Sequence, residues 1–454
     1  MTFVRCSLLA LCAAVVLAAP SLPLAAQTSP NPNSAPALPA AAPAAPAPTQ
    51  NQPAYRLPPT QLAKAIALSR IRDILNIAGS LWGIAVLWLL LATRALAGLE
   101  AWTQRICSRR WVQGCIFFAI FLVIITLLSV PLDWISQHFS RAYGISVQGW
   151  GSWLGDEGKS LALTLVIGIP VLLLFNRIVR RWPRRYWFGI WLVTLPLLVL
   201  SVFVSPFLAP LFYKFQPLEK TNPALVQQLE KVVARTGTHI PPSRMYLMIA
   251  STKTTGLDAY VSGFGATKRI VVWDTTADHV PTDEILFIFG HETGHYVLHH
   301  IPKEMTIIAI GLFFVYWACA GFAGWLARRF GARWGLSSAE GATPLASRAG
   351  FVVLLFAISV ASFLMEPASN GMSRYFEHQA DIYGQEAIHG IVPDPQTTAV
   401  AAFDALGQAW LEDPHPNPFI EFWLFNHPSV EQRANFAAHY NPWANGGHGR
   451  YFSH

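Results

Sequence analysis

Residues 282–327 read TDEILFIFGHETGHYVLHHIPKEMTIIAIGLFFVYWACAGFAGWLA. The first half opens with Asp283 and Glu284, acids that favour the positive end of a helix, and Thr282 is the expected capping hydroxyl. It then carries His291-Glu292-Thr293-Gly294-His295, in which the two histidines, four residues apart, share one helical face. The second half, from 305 to 327, is 23 residues without a charge and long enough to cross the hydrocarbon of a bilayer. A helix that bears chemistry thus leads into a membrane span.

Five more uncharged runs lie at 74–93, 111–132, 160–176, 186–213 and 349–365. Six spans are expected, with Pro170 and Pro196 tolerated inside them because neighbouring helices can satisfy the freed carbonyls. Composition agrees: only 13% of the 454 residues are charged, roughly half the usual share, while 53% are hydrophobic and 17 are Trp. That excludes a simple soluble enzyme. The net charge of +7 does not point to nucleic acid, because many of the Lys and Arg crowd into short loops between apolar runs. The five Cys, at 6, 12, 107, 115 and 319, suggest neither a disulfide framework nor a Cys-based metal site.

Loop charges give an orientation. Arg94, Arg105, Arg109 and Arg110 follow the first run, Arg177, Arg180, Arg181, Arg184 and Arg185 the third, and Arg328, Arg329, Arg333 and Arg348 join the last two. The positive-inside rule places these loops in the cytoplasm and the segments 133–159, 214–304 and 366–454 outside, in a multi-pass plasma (inner) membrane protein. Lys64, Arg70 and Arg72 pull the other way. Residues 1–26 resemble a secretory signal peptide or signal anchor, and 27–61, rich in Ala and Pro, read as a disordered tether. The expected units are then a four-span region (62–213), a polar part with the histidine helix (214–304), a two-span hairpin (305–365) and a second polar part (366–454).

In the first polar part, Asn222-Pro223 reads as the start of a helix that Gly237 ends. Strands are expected at 244–250, 259–264 and 269–274, the last two joined through Gly265-Ala266-Thr267-Lys268.

The H-E-x-x-H face suits one zinc ion, with Glu292 placed as general base for a water whose pKa the metal lowers. Catalytic zinc usually has three protein ligands. A third histidine from the local metzincin pattern is excluded, since Leu298 and Ile301 stand where Gly and His would be needed. A Glu from a later helix is the alternative, and Glu377-His378-Gln379-Ala380-Asp381 supplies it on the same side of the membrane. Asp381, one turn after Glu377, could hold a ligand imidazole by its second nitrogen. His299 and His300 read as a continuation of the zinc helix, explained by its negative C-terminal end.

Together these stretches resemble the integral-membrane zinc metalloproteases of the CAAX prenyl protease 1 family. The resemblance covers about residues 65–445. It lies in Ala209-Pro210-Leu211-Phe212-Tyr213-Lys214-Phe215, Ala259-Tyr260 with Gly263, Lys268-Arg269-Ile270-Val271-Val272, Ser373-Arg374 through Asp381, and His427-Pro428 with Arg433. It implies a mainly α fold, a multi-span transmembrane bundle with a small α/β zinc metalloprotease (gluzincin-like) domain that cuts peptides inside a water-filled chamber. It further implies one Zn2+ on His291, His295 and Glu377, with Glu292 as base and Asp381 and Arg433 behind the ligands. His427 matches a donor to the developing oxyanion, or is a loop histidine before Pro428. The strand Ala259, Tyr260, Val261, Ser262 and Gly263 matches a substrate-binding edge for a peptide or protein substrate. Two features depart from the family. Asp258 stands where Asn is common, an acceptor only when ionised, and the loop charges put the site outside, whereas eukaryotic members face the cytosol. A heat-shock type membrane quality-control protease and a non-catalytic zinc-stabilised membrane chaperone are the rival readings, although six spans and only three apparent ligands disfavour them.

Overall fold

The computed structural model describes residues 54, 55, 57–263, 268–336 and 343–452. The expected signal segment, most of the tether, and Gly265-Ala266-Thr267 fall outside the described residues. Helices α1 (Pro59–Ala92), α2 (Ala95–Ile106), α3 (Arg110–Ala142), α4 (Trp150–Arg181) and α5 (Tyr186–Leu208) come first. The polar part follows with β1 (Lys214–Pro217), α6 (Leu218–Thr221), α7 (Pro223–Thr236), β2 (Met245–Ile249), β3 (Ala259–Ser262), β4 (Arg269–Trp273), α8 (Asp274–His279) and α9 (Thr282–Val297). After it come α10 (His300–Phe330), α11 (Arg348–Ile388), α12 (Pro395–Trp410), α13 (Pro418–Leu424) and α14 (Val430–His439).

Six of these helices, α1, α3, α4, α5, α10 and α11, are long and apolar enough to cross a membrane. Outward-facing Val166, Phe207 and Phe314 are 72%, 75% and 60% exposed, which suits lipid and not water. Inside the bundle Phe117, Phe118, Phe121, Phe175 and Phe351 are fully buried. The Arg-rich loops share one end: Arg94 Nε donates to the Arg333 carbonyl at 2.8 Å, and Glu100 accepts from the backbone N–H groups of Arg348 and Ala349 at 3.0 and 2.9 Å. At the other end the α3–α4 loop joins the polar part, with Thr255 N donating to the Ile145 carbonyl at 3.0 Å. There Lys253 also donates to Asp156 of α4 at 3.0 Å, a buried ion pair that ties sheet to bundle.

The polar part is built around a four-stranded sheet of order β1-β2-β4-β3, with β2 and β4 parallel and the other pairs antiparallel. Its helices pack Leu229, Phe287 and Phe403 into a core of their own with Met245 and Val272 from the sheet. Asn222 caps α7 by accepting from Leu225 N at 3.0 Å, Pro223 takes the first helical position, and Gly237 ends the helix at φ 63°.

Several local expectations need correcting. Thr282 does not cap α9: Pro281 occupies the cap without a side-chain hydrogen bond, its fixed φ setting the entry angle. Asp274 opens α8 instead of ending a strand, its carboxylate accepting from the N–H groups of Ala250, Ser251 and Thr275. His299 and His300 do not continue the zinc helix. His299 adopts φ 56°, a left-handed conformation that His tolerates better than most residues, and His300 starts α10. The end of the expected tether is ordered: α1 begins at Pro59, and Tyr55 is 1% exposed, seated where a Cβ on Gly407 of α12 would clash with its ring. Finally, α11 is one 41-residue helix that carries the last span and Glu377 without a break, with Pro367 inside it.

Candidate metal centre and active site

Two glycines set the site. A Cβ on Gly384 of α11 would lie 2.7 Å from His291 N, and one on Gly294 of α9 would lie 2.9 Å from Tyr383 Cβ, so α9 and α11 approach almost backbone to backbone. Glu377, Asp381 and Gly384 lie on one face of α11 at helical spacing, and the close approach carries both carboxylates to His291. His291 Nε2 and His295 Nε2 stand 3.1 Å apart. Glu377 Oε2 is 3.2 Å from His291 Nε2, and Glu377 Oε1 is 3.5 Å from His295 Nε2.

The outer nitrogens decide which electron pairs face inward. His291 Nδ1 donates to Asp381 Oδ1 at 2.9 Å, and Arg433 holds that carboxylate with two hydrogen bonds of 3.0 and 2.6 Å. For His295 the partner is His300. His300 Nε2 donates to Gln379 Oε1 at 3.1 Å, so its Nδ1 must accept, and it receives the Nδ1–H of His295 at 3.1 Å. Both inner Nε2 atoms are thereby left as acceptors beside a buried carboxylate oxygen, Glu377 Oε2, that meets no hydrogen-bond geometry. Three convergent electron-pair donors in a buried place suit a divalent cation with two imidazoles and a carboxylate.

The neighbouring groups complete the site. Glu292 is half-buried on the same turn of α9. Asp258 lies close enough to feel Glu292, and burial, followed by that negative charge, pushes its carboxyl well above the ordinary range. That direction favours the neutral carboxyl, which can donate, over the acceptor-only carboxylate. His427 Nε2 reaches Glu377 Oε2 at 3.2 Å, its loop held by Arg374 through the carbonyls of Glu421 and Phe425. The strand Ala259–Ser262 is the outer strand of the sheet and lies against α9. Trp273 N donates to the Asp258 carbonyl, and by the alternation of an antiparallel ladder Val261 turns its own N–H and carbonyl to the open edge. Gly263 ends the strand at φ 87°, where a side chain would be strained.

All the expected site residues lie in this one region. His300 and Gln379 are the partners that reading the sequence missed. The only available signal was the His299-His300 pair directly after the zinc helix.

Residues 219–441 match the profile of Peptidase family M48, and residues 46–214 match that of the CAAX prenyl protease N-terminal region, described as five membrane helices. An uncharacterized metalloprotease of Bacillus subtilis, YhfN, is 32% identical over 393 residues, 86% of this chain and 88% of the relative. The chain belongs to peptidase family M48. CAAX prenyl protease 1 of Saccharomyces cerevisiae is 26% identical over 336 residues, 71% of each chain. The crystal structure of S. mikatae Ste24p shares the fold, with a TM-score of 0.71 at 21% identity, covering 85% of this chain and 90% of that one. As an M48 member the protein is a membrane metalloprotease, a hydrolase, and the chaperone reading falls away. M48 metalloproteases are zinc-dependent, and the His-His-Glu cluster fits that requirement.

Proposed function

We propose that this M48 member is a zinc metalloendopeptidase in which His291, His295 and Glu377 hold a single zinc ion. The observation that carries the reading is the cluster itself: two acceptor nitrogens and a carboxylate oxygen within 4.8 Å of one another, with Glu292 beside the first ligand. Zinc held there supplies Lewis acidity, polarising a peptide carbonyl and acidifying water. The chain's own residues do the rest. Val261 and its neighbours in β3 bind the substrate as an added strand, which aligns the scissile bond along α9. Glu292 takes a proton from the attacking water and returns it to the leaving amine. His427 donates to the oxygen on which charge develops, a role worth about 3 kcal/mol in comparable sites. Asp381 and Arg433 fix the ring of His291, as His300 and Gln379 fix that of His295.

The basic loops at one end of the bundle support an extracytoplasmic active site in the plasma (inner) membrane. The names of the relatives support prenylated C-terminal peptides as substrates, while an outward-facing site favours envelope proteins. A panel of unmodified and prenylated peptides, offered to the parent and to Glu292→Gln, tests the reading. Cleavage by the parent alone, with equal zinc in both proteins, is expected, and the preferred peptides distinguish the substrate classes. Cleavage by Glu292→Gln at the parental rate would remove the base from the mechanism.

A further inference from the structure

At the Arg-rich end of the bundle, far along α10 from His300, a groove of about 460 Å3 opens between the start of α5 and the end of α10. Arg184 and Arg328 line it together with Trp187, Trp317, Gly321 and Gly324. Arg184 lies just before α5, and Arg328 is in the last turn of α10, so both guanidinium groups belong to the surface end. At about 1.5 Å of rise per residue, Gly321 lies roughly 10 Å and Trp317 roughly 16 Å deeper along α10. That descent is about half the thickness of the hydrocarbon, the reach of one acyl chain.

The details favour a ligand with an anionic head and an apolar tail. A Cβ on Gly324 would lie 3.4 Å from Arg328 Nη1, so the guanidinium folds back over the groove. A Cβ on Gly321 would meet nothing within 4 Å, so the space there is open. Trp317 is 61% exposed, a large apolar surface at the groove's inner end. Among the described residues no carboxylate pairs with Arg184 or Arg328. Two cations without a carboxylate partner among the described residues, set over an apolar channel between membrane helices, form a basic pocket complementary to a lipid phosphate.

We propose that this groove binds an anionic diacyl phospholipid, its phosphate between Arg184 and Arg328 and one acyl chain along Gly324, Gly321 and Trp317. The site requires a bilayer but neither a particular orientation nor the protease chemistry.

Native mass spectrometry of the full, delipidated chain in detergent tests it, with phosphatidylglycerol, phosphatidylcholine and inorganic phosphate as separate probes. Phosphatidylglycerol is expected to bind in preference to phosphatidylcholine, with free phosphate competing poorly because it leaves the apolar half unused. The double variant Arg184→Gln/Arg328→Gln should bind phosphatidylglycerol about thirtyfold more weakly. Gly321→Trp, which fills the channel and leaves the charges in place, should also lose the lipid. Arg105→Gln/Arg109→Gln, changed at the same end outside the groove, should retain it. Unfolding of the double variant, read from its melting temperature, would shift the test to Gly321→Trp and the two single Arg variants. Parental lipid binding in the folded Arg and Gly321 variants, equal binding of phosphatidylcholine, or full competition by phosphate would each overturn the proposal.

Discussion

Replacing His300 by Phe isolates the least expected feature of the site. His300 is fully buried, and its ring lies 4.7 Å from that of Phe376, a contact that Phe would preserve. What the substitution removes is the acceptor for the Nδ1–H of His295, 3.1 Å away. His295 is then free to turn or to change tautomer, and the electron pair on Nε2 is no longer held toward His291 and Glu377. Outer partners of this kind are worth about 10- to 100-fold in metal affinity, or about 1.4 to 2.7 kcal/mol. The substitution also leaves the Gln379 amide unpaired, at a cost of about 1 to 3 kcal/mol in fold stability. His300→Phe/Gln379→Leu removes both polar partners and separates the two effects. Competition against a chelator of known affinity reads zinc binding directly. His300→Phe and the double variant should both bind zinc more weakly by this factor, while His299→Asn, at the exposed left-handed position, should match the parent. Unchanged zinc affinity in the double variant would show that His300 does not orient His295.

Three further outcomes follow from the geometry. Gly384→Ala places a Cβ 2.7 Å from His291 N and should push α9 from α11, costing about 1 to 3 kcal/mol by thermal melting and lowering zinc retention together. Burial raises the Asp258 carboxyl and favours its neutral form, and Asp258→Asn supplies a neutral amide of the same shape that also donates, so cleavage near neutral pH should persist, while Asp258→Ala should lose it; peptide kinetics on both variants distinguish the cases. Glu284 is pushed up to about 7, first by burial and then by the charges of Asp404 and Asp283. Its contribution to stability is present below its ordinary value of 4.5 and lost as pH rises through about 7, so Glu284→Gln should melt above the parent near pH 8 and show no such advantage near pH 5.

Much of this arrangement could be read from residues alone. Uncharged runs located the six helices that, among the described residues, are long and apolar enough to cross a membrane, because lipid imposes a length and an apolarity that few soluble segments meet. His291 and His295 advertise themselves by spacing, and Glu377 with Asp381 by one helical turn. Other features depend on contacts that no local pattern encodes. Nothing near Tyr55 announces the slot at Gly407, 352 positions further along, and the Lys253–Asp156 pair joins residues 97 apart. The continuity of α11 was hidden by Pro367, which usually signals a boundary but is accommodated inside this helix. The left-handed His299 is similarly silent, since only the angle between α9 and α10 requires it. The upward shift of the Asp258 carboxyl likewise comes from burial and from Glu292, neither of which its own neighbours in sequence announce.

The claim on which the rest depends is that His291, His295 and Glu377 form one zinc site left open for chemistry. Zinc X-ray absorption combined with metal quantification on the purified chain tests it most directly. One zinc per chain is expected, with two imidazoles, oxygen donors and no sulfur in its shell, and with the zinc lost in Glu377→Gln/His291→Ala. Metal retained at full occupancy in that variant, or sulfur among the ligands, would contradict it.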